Sequence, residues 1–303
     1  MLRWLLMTGI GLLVSVQTNA QLKKFYSLKD NVVFDTVRLS FEAASGSCYF
    51  KNTSHSSPLN IYGNPDLDKI NPSYHTEVKN NTCHVSLTLE EFQTSSLDDG
   101  FSFASFFSGG TTSSKKVEKD YWKVYLSDSK IYDLNLHYGI GEAYLDFSGT
   151  AISNVKINTG NANVKVGYSL EDSNPIEMDT FMVKVDLGSL DAEKINYMNA
   201  SNVIAEVRVG NATLDFNEGT NKKCNINASV GAGNLDIILP DNDVPVIIYV
   251  GDSPMCGVKL AKGYEEVEKN TYVNMSYRAD AENLMVFNVD VTFGSINFSK
   301  AAD

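Results

Sequence analysis

The sequence predicts an all-β fold in which similar strand units repeat and stack, a repetitive β-solenoid. Three observations predict it. From about residue 130 onward apolar and polar residues alternate in short runs, glycine and asparagine interrupt these runs, and one strand–glycine–strand pattern recurs. Alternation is typical of a strand with one buried face, because successive side chains of a strand point to opposite sides. The apolar period of about 3.6 residues that is typical of a helix is not sustained in this half of the chain.

The recurring pattern is clearest in Val207-Arg-Val-Gly210-Asn-Ala-Thr-Leu214-Asp-Phe216, and it returns in Val289-Asp-Val-Thr-Phe-Gly294-Ser-Ile296-Asn-Phe298. The glycines predicted to form the turns are Gly139, Gly160, Gly188, Gly210, Gly231 and Gly294. They are spaced by 21, 28, 22 and 21 residues, and the last interval, 63 residues, is three times 21. A regular period of this length is typical of stacked repeats, in which no unit buries its apolar face alone.

Leu-Asp-Phe within the pattern places an aspartate between two apolar residues. The apolar pair then faces the core and the carboxylate faces outward. Stacking would align these carboxylates about 4.8 Å apart, the distance between neighbouring strands. The predicted ladder consists of Asp146, Asp191, Asp215 and Asp236, continued by Asn297. We expect a solvated ladder, because the denser glycine–aspartate repeat of calcium-binding β-rolls is absent; a bridging cation is the alternative.

Evenly spaced strands and turns also suit an antiparallel β-sandwich, which is the alternative fold. Three regions are predicted: a signal peptide at 1–20, an N-terminal β region at 21–119 and a glycine-punctuated repeat domain at 120–303. Residues 37–50 resemble the repeat pattern and are predicted to form a first, divergent rung of the stack.

A segment rich in serine, glycine and phenylalanine, 95–119, is predicted to be a mobile loop or linker. Its phenylalanines are Phe101, Phe103, Phe106 and Phe107. Apolar side chains on a loop need burial, so these rings either pack beneath the loop or form an exposed contact patch for a partner.

The first twenty residues have the three parts of a secretory signal peptide. Arg3 supplies the positive charge, an apolar run extends from Trp4 to Val16, and the segment ends in Ala20. The run is too short to span a bilayer, and no later run is long enough. The sequence therefore predicts export to the periplasm, the cell surface or the extracellular space, with no transmembrane segment in the mature chain.

The chain is acidic, with 25 Lys and Arg against 37 Asp and Glu and a formal net charge of −12. Removal of the signal peptide takes away one more positive charge, that of Arg3. An acidic surface repels phosphate, so no nucleic acid is expected as a partner. The expected partner is an envelope protein or a glycan.

Four cysteines, Cys48, Cys83, Cys224 and Cys256, are spread along the chain without a C-x-x-C pair. An even number in an exported protein favours disulfides, and the first hypothesis joins neighbours in sequence, Cys48 to Cys83 and Cys224 to Cys256. Free buried thiols are the alternative.

The sequence contains no pattern typical of a catalytic, cofactor or metal site. The histidines, His55, His75, His84 and His137, are scattered without the short spacing of a zinc site. Ser229 is not in a G-x-S-x-G elbow, and Gly231-Ala-Gly233 lacks the strand–loop–helix setting of a phosphate cradle. Whether the protein is an enzyme stays open, and a non-enzymatic role without a cofactor is favoured.

Three motifs in the repeat region resemble a known family. They are the tandem Val-x-Val-x-x-Gly-x-x-x-Leu-Asp-Phe units, the passage Ser229-Val-Gly-Ala-Gly-Asn-Leu-Asp-Ile-Ile-Leu-Pro240, and the later Gly294-Ser-Ile-Asn-Phe298. Over roughly residues 130–303 the chain resembles the bacterial toast-rack, adhesin-type family. The resemblance implies a repetitive β architecture on the outer side of the cytoplasmic membrane, with a loose link to adhesion or envelope stress.

Three functions suit these features. The first is an exported, non-enzymatic envelope or surface protein that binds or scaffolds in the manner of an adhesin. The second is a periplasmic accessory or stress-sensing subunit, for which an exposed apolar patch such as the phenylalanine segment is expected. The third is a carbohydrate-active enzyme on a β-helix, which needs polar residues converging on one groove.

Overall fold

The computed structural model describes residues 23–29, 33–54, 56–65, 70–91 and 121–300. Within these ranges sixteen strands belong to one sheet. The strands are β1 (Lys24–Leu28), β2 (Thr36–Thr53), β3 (Leu59–Gly63), β4 (Ile70–Lys79), β5 (Thr82–Glu91), β6 (Tyr121–Ser127), β7 (Ile131–Asp146), β8 (Ala151–Gly167), β9 (Met178–Glu193), β10 (Ala200–Asp215), β11 (Cys224–Leu239), β12 (Val246–Val250), β13 (Cys256–Lys259), β14 (Tyr264–Glu268), β15 (Thr271–Asn274) and β16 (Met285–Lys300). A short 3₁₀ turn, Ile195–Met198, lies between β9 and β10.

The centre of the sheet is a stack of seven long strands. In order they are β2, β7, β8, β9, β10, β11 and β16, and each pairs in parallel with the next. The predicted all-β repetitive fold is therefore confirmed. The antiparallel sandwich does not fit, because the repeated neighbours run in the same direction.

Each long strand, called a rung below, bends near its middle, and β10 shows how. Val203, Ala205 and Val207 are buried on the first arm, and Ala212 and Leu214 are buried on the second. The buried positions change from odd to even numbers across the bend, so an extra residue reverses the alternation there. Both arms consequently bury side chains in the same apolar core, which continues from rung to rung.

Glycine occupies six of the seven aligned bend positions, because neighbouring backbones approach closely there. Gly210 has a φ of +140°, and a Cβ there would lie 1.7 Å from the carbonyl oxygen of Gly188. The aligned bend positions, in order across the sheet, are Gly46, Gly141, Ala162, Gly188, Gly210, Gly233 and Gly294.

The glycines predicted from the sequence fall into two columns of this sheet. Gly188, Gly210 and Gly294 lie at the aligned bend, whereas Gly139, Gly160 and Gly231 precede it by two positions in their rungs. Mixing the columns adds two residues to the interval of 28; the aligned positions Ala162 and Gly188 are themselves 26 residues apart, because the connection between β8 and β9 is longer than those between β7 and β8 and between β9 and β10. The last interval contains β12 to β15 rather than further rungs, because β16 pairs directly with β11.

At both ends of the stack a rung is divided between two strands. Next to β2, the first arm is supplied by β5 and the second by β6. Next to β16, β12 supplies the first arm and β13 lies beside the second. Antiparallel strands cover these divided rungs: β4 pairs with β5, β3 with β6, β1 with β3, β15 with β12, and β14 with β15. Such capping strands limit edge-to-edge association of a long sheet.

The predicted divergent rung, residues 37–50, lies within β2, which pairs with β7 along both arms. The described residues on both sides of position 120 thus share one sheet and one apolar core. The division at that position stays a sequence prediction. Phe101, Phe103, Phe106 and Phe107 lie outside the described residues, as do the signal segment and His55.

All four cysteines are free thiols in the structure. Cys83 is aligned with the first residues of β2, whereas Cys48 lies on the second arm of β2. Cys224 is aligned with the first residue of β16, whereas Cys256 is aligned with the bend of that strand. An arm of a strand separates the members of each predicted pair, so the geometry favours the free-thiol alternative over both disulfides. Burial raises the pKa of the Cys224 thiol to about 12, which keeps it protonated and unreactive.

The predicted carboxylate ladder is wrong, because its members do not stand next to one another. Thr213 stands between Asp191 and Asp236, and the Asn297 amide donates a 3.1 Å hydrogen bond to Asp236. On the other side Asp191 is aligned with Lys165, whose Nζ lies 3.7 Å from it. The remaining two members, Asp146 and Asp215, belong to the next row of positions. Neutral and cationic side chains therefore separate the like charges.

Candidate binding surface

Outward-facing residues of the second arms form a row of aromatic and lysine side chains at one end of the sheet. In the strand order β1–β3–β6–β2–β7–β8 the aligned residues are Phe25, Tyr62, Lys123, Tyr49, Tyr144 and Lys165. Side chains at aligned positions of neighbouring strands lie within contact distance of one another. We call these six residues the aromatic–lysine row.

Strand alternation places these side chains outside and their chain neighbours inside. In β6, Trp122 and Val124 are buried in the core, so Lys123 between them faces outward. In β2, Cys48 and Phe50 are buried on either side of Tyr49. The row is therefore fixed by the same packing that forms the core.

The rings of the row are exposed and form two contacting pairs. The exposed fractions are 55% for Phe25, 40% for Tyr62, 37% for Tyr49 and 39% for Tyr144. Tyr49 and Tyr144 are stacked, with ring centroids 5.2 Å apart and planes within 8° of parallel. The ring centroids of Phe25 and Tyr62 lie 4.6 Å apart. The rings of Tyr62 and Tyr125 meet edge to face, with centroids 5.7 Å apart. These contacts restrict the rotamers of large side chains that stay open to a ligand.

Two hollows lie beside the row on the same face. One, of about 640 Å³, is lined by Ser47, Tyr49, Lys51, Tyr121, Lys123, Tyr125 and Glu142. The other, of about 590 Å³, is lined by Lys23, Lys24, Phe25, Tyr62, Gly63, Tyr121, Lys123 and Tyr125. Because they share Tyr121, Lys123 and Tyr125, the hollows form one continuous surface across β1, β3, β6, β2 and β7.

The charge of this surface is opposite to that of the whole chain. In the part of the chain that the structure describes, the hollows are lined by Lys23, Lys24, Lys51 and Lys123 and by one carboxylate, that of Glu142. The chain as a whole carries a formal charge of −12. The surface thus favours an anionic ligand in a molecule that otherwise repels one.

Two carboxylates, those of Glu142 and Glu193, pair with members of the row at one side of the surface. The Tyr144 hydroxyl donates a 3.4 Å hydrogen bond to Glu142, whose charge raises the pKa of this phenol above its ordinary value. Tyr144 therefore stays a neutral hydrogen-bonding group. Lys165 donates a 2.5 Å hydrogen bond to Glu193, which raises the pKa of Lys165. The Lys165 ammonium group is thus paired with a carboxylate on the neighbouring strand β9.

The histidines that the sequence singled out do not converge. His84 is aligned with Glu77 and His75 with Ser86 in the β4–β5 hairpin, whereas His137 lies on β7. Within the described ranges no group of three or more His, Cys, Asp or Glu side chains is arranged to hold a metal ion. Ser229 and Gly231 lie within rung β11, and their positions are those of ordinary residues of an alternating strand.

The aromatic–lysine row was not predicted from the sequence, because its members come from six strands between Lys24 and Gly167. The local signal was present in Tyr121-Trp-Lys-Val-Tyr125 and in Tyr49-Phe-Lys51, where polar aromatic residues and lysine alternate with apolar residues. Such alternation shows which side chains face outward. It does not show which strands are neighbours.

Comparison with known proteins supports the family suggested by the motifs. Residues 108–189 match the family model described as the N-terminal domain of toast_rack, DUF2154. The toast-rack resemblance is confirmed. The toast-rack match begins before the region where the motifs were found and ends within it, covering β6 to most of β9.

Solved structures with a likeness to this chain were also found. A candidate cell adhesion protein from Clostridium sporogenes is 14% identical, with a TM-score of 0.45, covering 92% of this chain and 98% of that one. A candidate adhesin from Bacteroides fragilis is 14% identical, with a TM-score of 0.26 and coverages of 91% and 96%. A candidate lipid-binding protein from Parabacteroides distasonis is 12% identical, with a TM-score of 0.30 and coverages of 92% and 97%. No curated protein matched.

Within the described ranges, no helix is long and apolar enough to cross a membrane.

Proposed function

We propose that this chain is an exported, non-enzymatic surface protein of a bacterial envelope that binds a partner in the manner of an adhesin, through the aromatic–lysine row. The observation that carries the proposal is the row itself. Four exposed rings and a lysine occupy successive aligned positions on a sheet whose core would be complete without them. Contiguous exposed apolar area beside polar groups marks interaction surfaces.

The lining of the hollows supports binding rather than hydrolysis. Among the described residues that line the two hollows, Glu142 is the only carboxylate. Glycoside hydrolysis commonly uses a pair of carboxyl groups facing each other across the bond that breaks. The described lining residues thus supply lysines and tyrosines that can hold a ligand, without the facing carboxylates that hydrolysis uses.

Export has a direct test. When the full chain is produced in a bacterial host, we expect cleavage after Ala20 and recovery of the protein outside the cytoplasm, because the first twenty residues have the form of a signal peptide. The measurement is cell fractionation with intact-mass determination of the product. A chain lacking residues 1–20 is the control and should stay in the cytoplasm. Cytoplasmic recovery of the unprocessed full chain would contradict export.

Binding is tested with the mature chain, residues 21–303, labelled with a fluorophore and applied to intact bacteria, to isolated cell walls and to mucin-coated plates. We expect saturable binding to at least one of these surfaces. The double variant Tyr49→Ala and Tyr144→Ala should weaken that binding by about tenfold or more, because it removes two exposed rings worth about 0.5–1.5 kcal/mol each.

The matched control is Tyr249→Ala. Tyr249 is 43% exposed on β12, at the opposite end of the sheet, so its loss should leave binding unchanged. If the control variant loses as much binding as the double variant, or if wild-type protein binds none of the three surfaces, the proposal is wrong.

A further inference from the structure

We propose that the ligand of the aromatic–lysine row is a carboxylated polysaccharide, a polymer of uronic acid residues that lies across the strands. This inference rests on the proposed binding function and adds the chemical class of the ligand. It is carried by the shape of the surface, by its alternation of rings and ammonium groups, and by its charge relative to the rest of the molecule.

The row is open at its sides and extends across six strands. Neighbouring strands are about 4.8 Å apart, which is comparable with the length of one pyranose ring, so successive sugars can meet successive strands. The hollows beside the row are continuous across β1, β3, β6, β2 and β7. An open surface of this kind accepts an internal stretch of a long polymer and does not require a chain end.

The side chains of the row match the two kinds of surface on a uronic acid. Tyrosine offers an apolar body with a hydroxyl at its tip, and a sugar likewise combines C–H groups with hydroxyls. Lys123 is aligned with Tyr62 on one side and Tyr49 on the other. The Lys123 Nζ lies over the Tyr121 ring, 5.3 Å from its centroid, so an ammonium group beside exposed rings can pair with a carboxylate while the rings contact the sugar. Stacking of Tyr49 on Tyr144 fixes the rings before a ligand arrives, which lowers the entropy lost on binding.

The distribution of charge selects an acidic sugar over a neutral one. Lysines line the hollows, whereas the row continues through Asp191, Thr213 and Asp236 on the rungs that follow. A polyanion is therefore attracted to one end of the sheet and repelled by the other. Contact between two copies of this surface would place lysines against lysines, which disfavours a symmetric dimer through the row.

The test measures binding of the mature chain to polygalacturonate, alginate and hyaluronan by biolayer interferometry. Fully methyl-esterified polygalacturonate is the matched ligand, because it has the same backbone without the charges. We expect wild-type protein to bind at least one acidic polymer, at least tenfold more weakly after esterification, and more weakly as NaCl is raised from 50 to 500 mM, in accord with screening of the ion pairs.

Two variants test the residues. Tyr49→Ala with Tyr144→Ala should weaken binding about tenfold or more, and Lys123→Ala about threefold, as expected for an exposed ion pair. The matched controls are Tyr249→Ala and Lys259→Ala. Lys259 is exposed and is aligned with Asn297 in the continuation of the same row on β13, so its loss should change nothing. Circular dichroism and thermal melting of every variant show that the fold is intact.

Several outcomes would overturn the inference. They are binding to none of the acidic polymers, equal binding to the esterified polymer, or loss of binding in Lys259→Ala to the same extent as in Lys123→Ala. The inference is also wrong if the protein binds anionic lipid vesicles or a thymidine oligonucleotide through the aromatic–lysine row and does not bind the polymers. If the double tyrosine variant still loses cell-surface binding while acidic polymers do not compete for it, the proposed function stands and only the ligand class is wrong.

Discussion

Replacement of Gly210 by valine is expected to lower the free energy of unfolding by about 4 kcal/mol or more, and the mature protein should lose most of its soluble yield. Two costs add. A β-branched residue is strained at a φ of +140°. Its Cβ would also overlap the carbonyl oxygen of Gly188, 1.7 Å away, and both groups are backbone, so neither can move without disturbing the stack.

Urea unfolding followed by tryptophan fluorescence measures this loss. The matched control is Gly257→Ala on β13, where a new Cβ would meet its nearest neighbour, the Gly294 carbonyl oxygen, at 4.0 Å and where no positive φ is required. We expect the control to unfold within about 0.5 kcal/mol of the wild type. Similar stability of the valine variant and the control would show that the bend adapts to a side chain.

The second large effect is expected for Phe216→Ala. Phe216 is fully buried after β10, and its ring meets that of Phe287 on β16 edge to face, with centroids 5.4 Å apart. Removal of a buried phenylalanine side chain costs about 3–5 kcal/mol, because transfer energy is lost and a cavity remains. The midpoint of urea unfolding should fall accordingly.

Phe293→Ala is the control for this variant. Phe293 also lies on β16, but it is 59% exposed at the bend. Its removal should change the free energy of unfolding by no more than about 0.5 kcal/mol. A loss for Phe216→Ala as small as that of the control would mean that the core relaxes around the missing ring.

The sequence predicts the rungs well because their signals are local. Alternation identifies the strands, and the change of phase between Val207 and Ala212 even marks the bend, since an extra residue must reverse the buried parity. The glycine that permits the bend stands in between, at Gly210. Physical chemistry within ten residues is sufficient for each of these features.

The binding surface could not be predicted in the same way, because it depends on which strands become neighbours. Tyr49 and Tyr144 touch although they are far apart in sequence, and no property of either residue specifies the other. β5 and β6 together form the divided rung beside β2. This arrangement places Lys123 of β6 next to Tyr49 of β2. The carboxylate ladder failed for a related reason, since a shift of one rung by two positions moves Asp215 out of line with Asp236.

The position of β16 has a consequence for how the protein is made. This strand is the last of the described strands to leave the ribosome, yet it lies inside the sheet, hydrogen-bonded to β11 on one side and to β12 and β13 on the other. Until β16 is synthesised, the strand edges of β11, β12 and β13 that pair with it have no partner, and the long-range pairing of β12 with β16 cannot form. Completion of the fold therefore waits for the final strand.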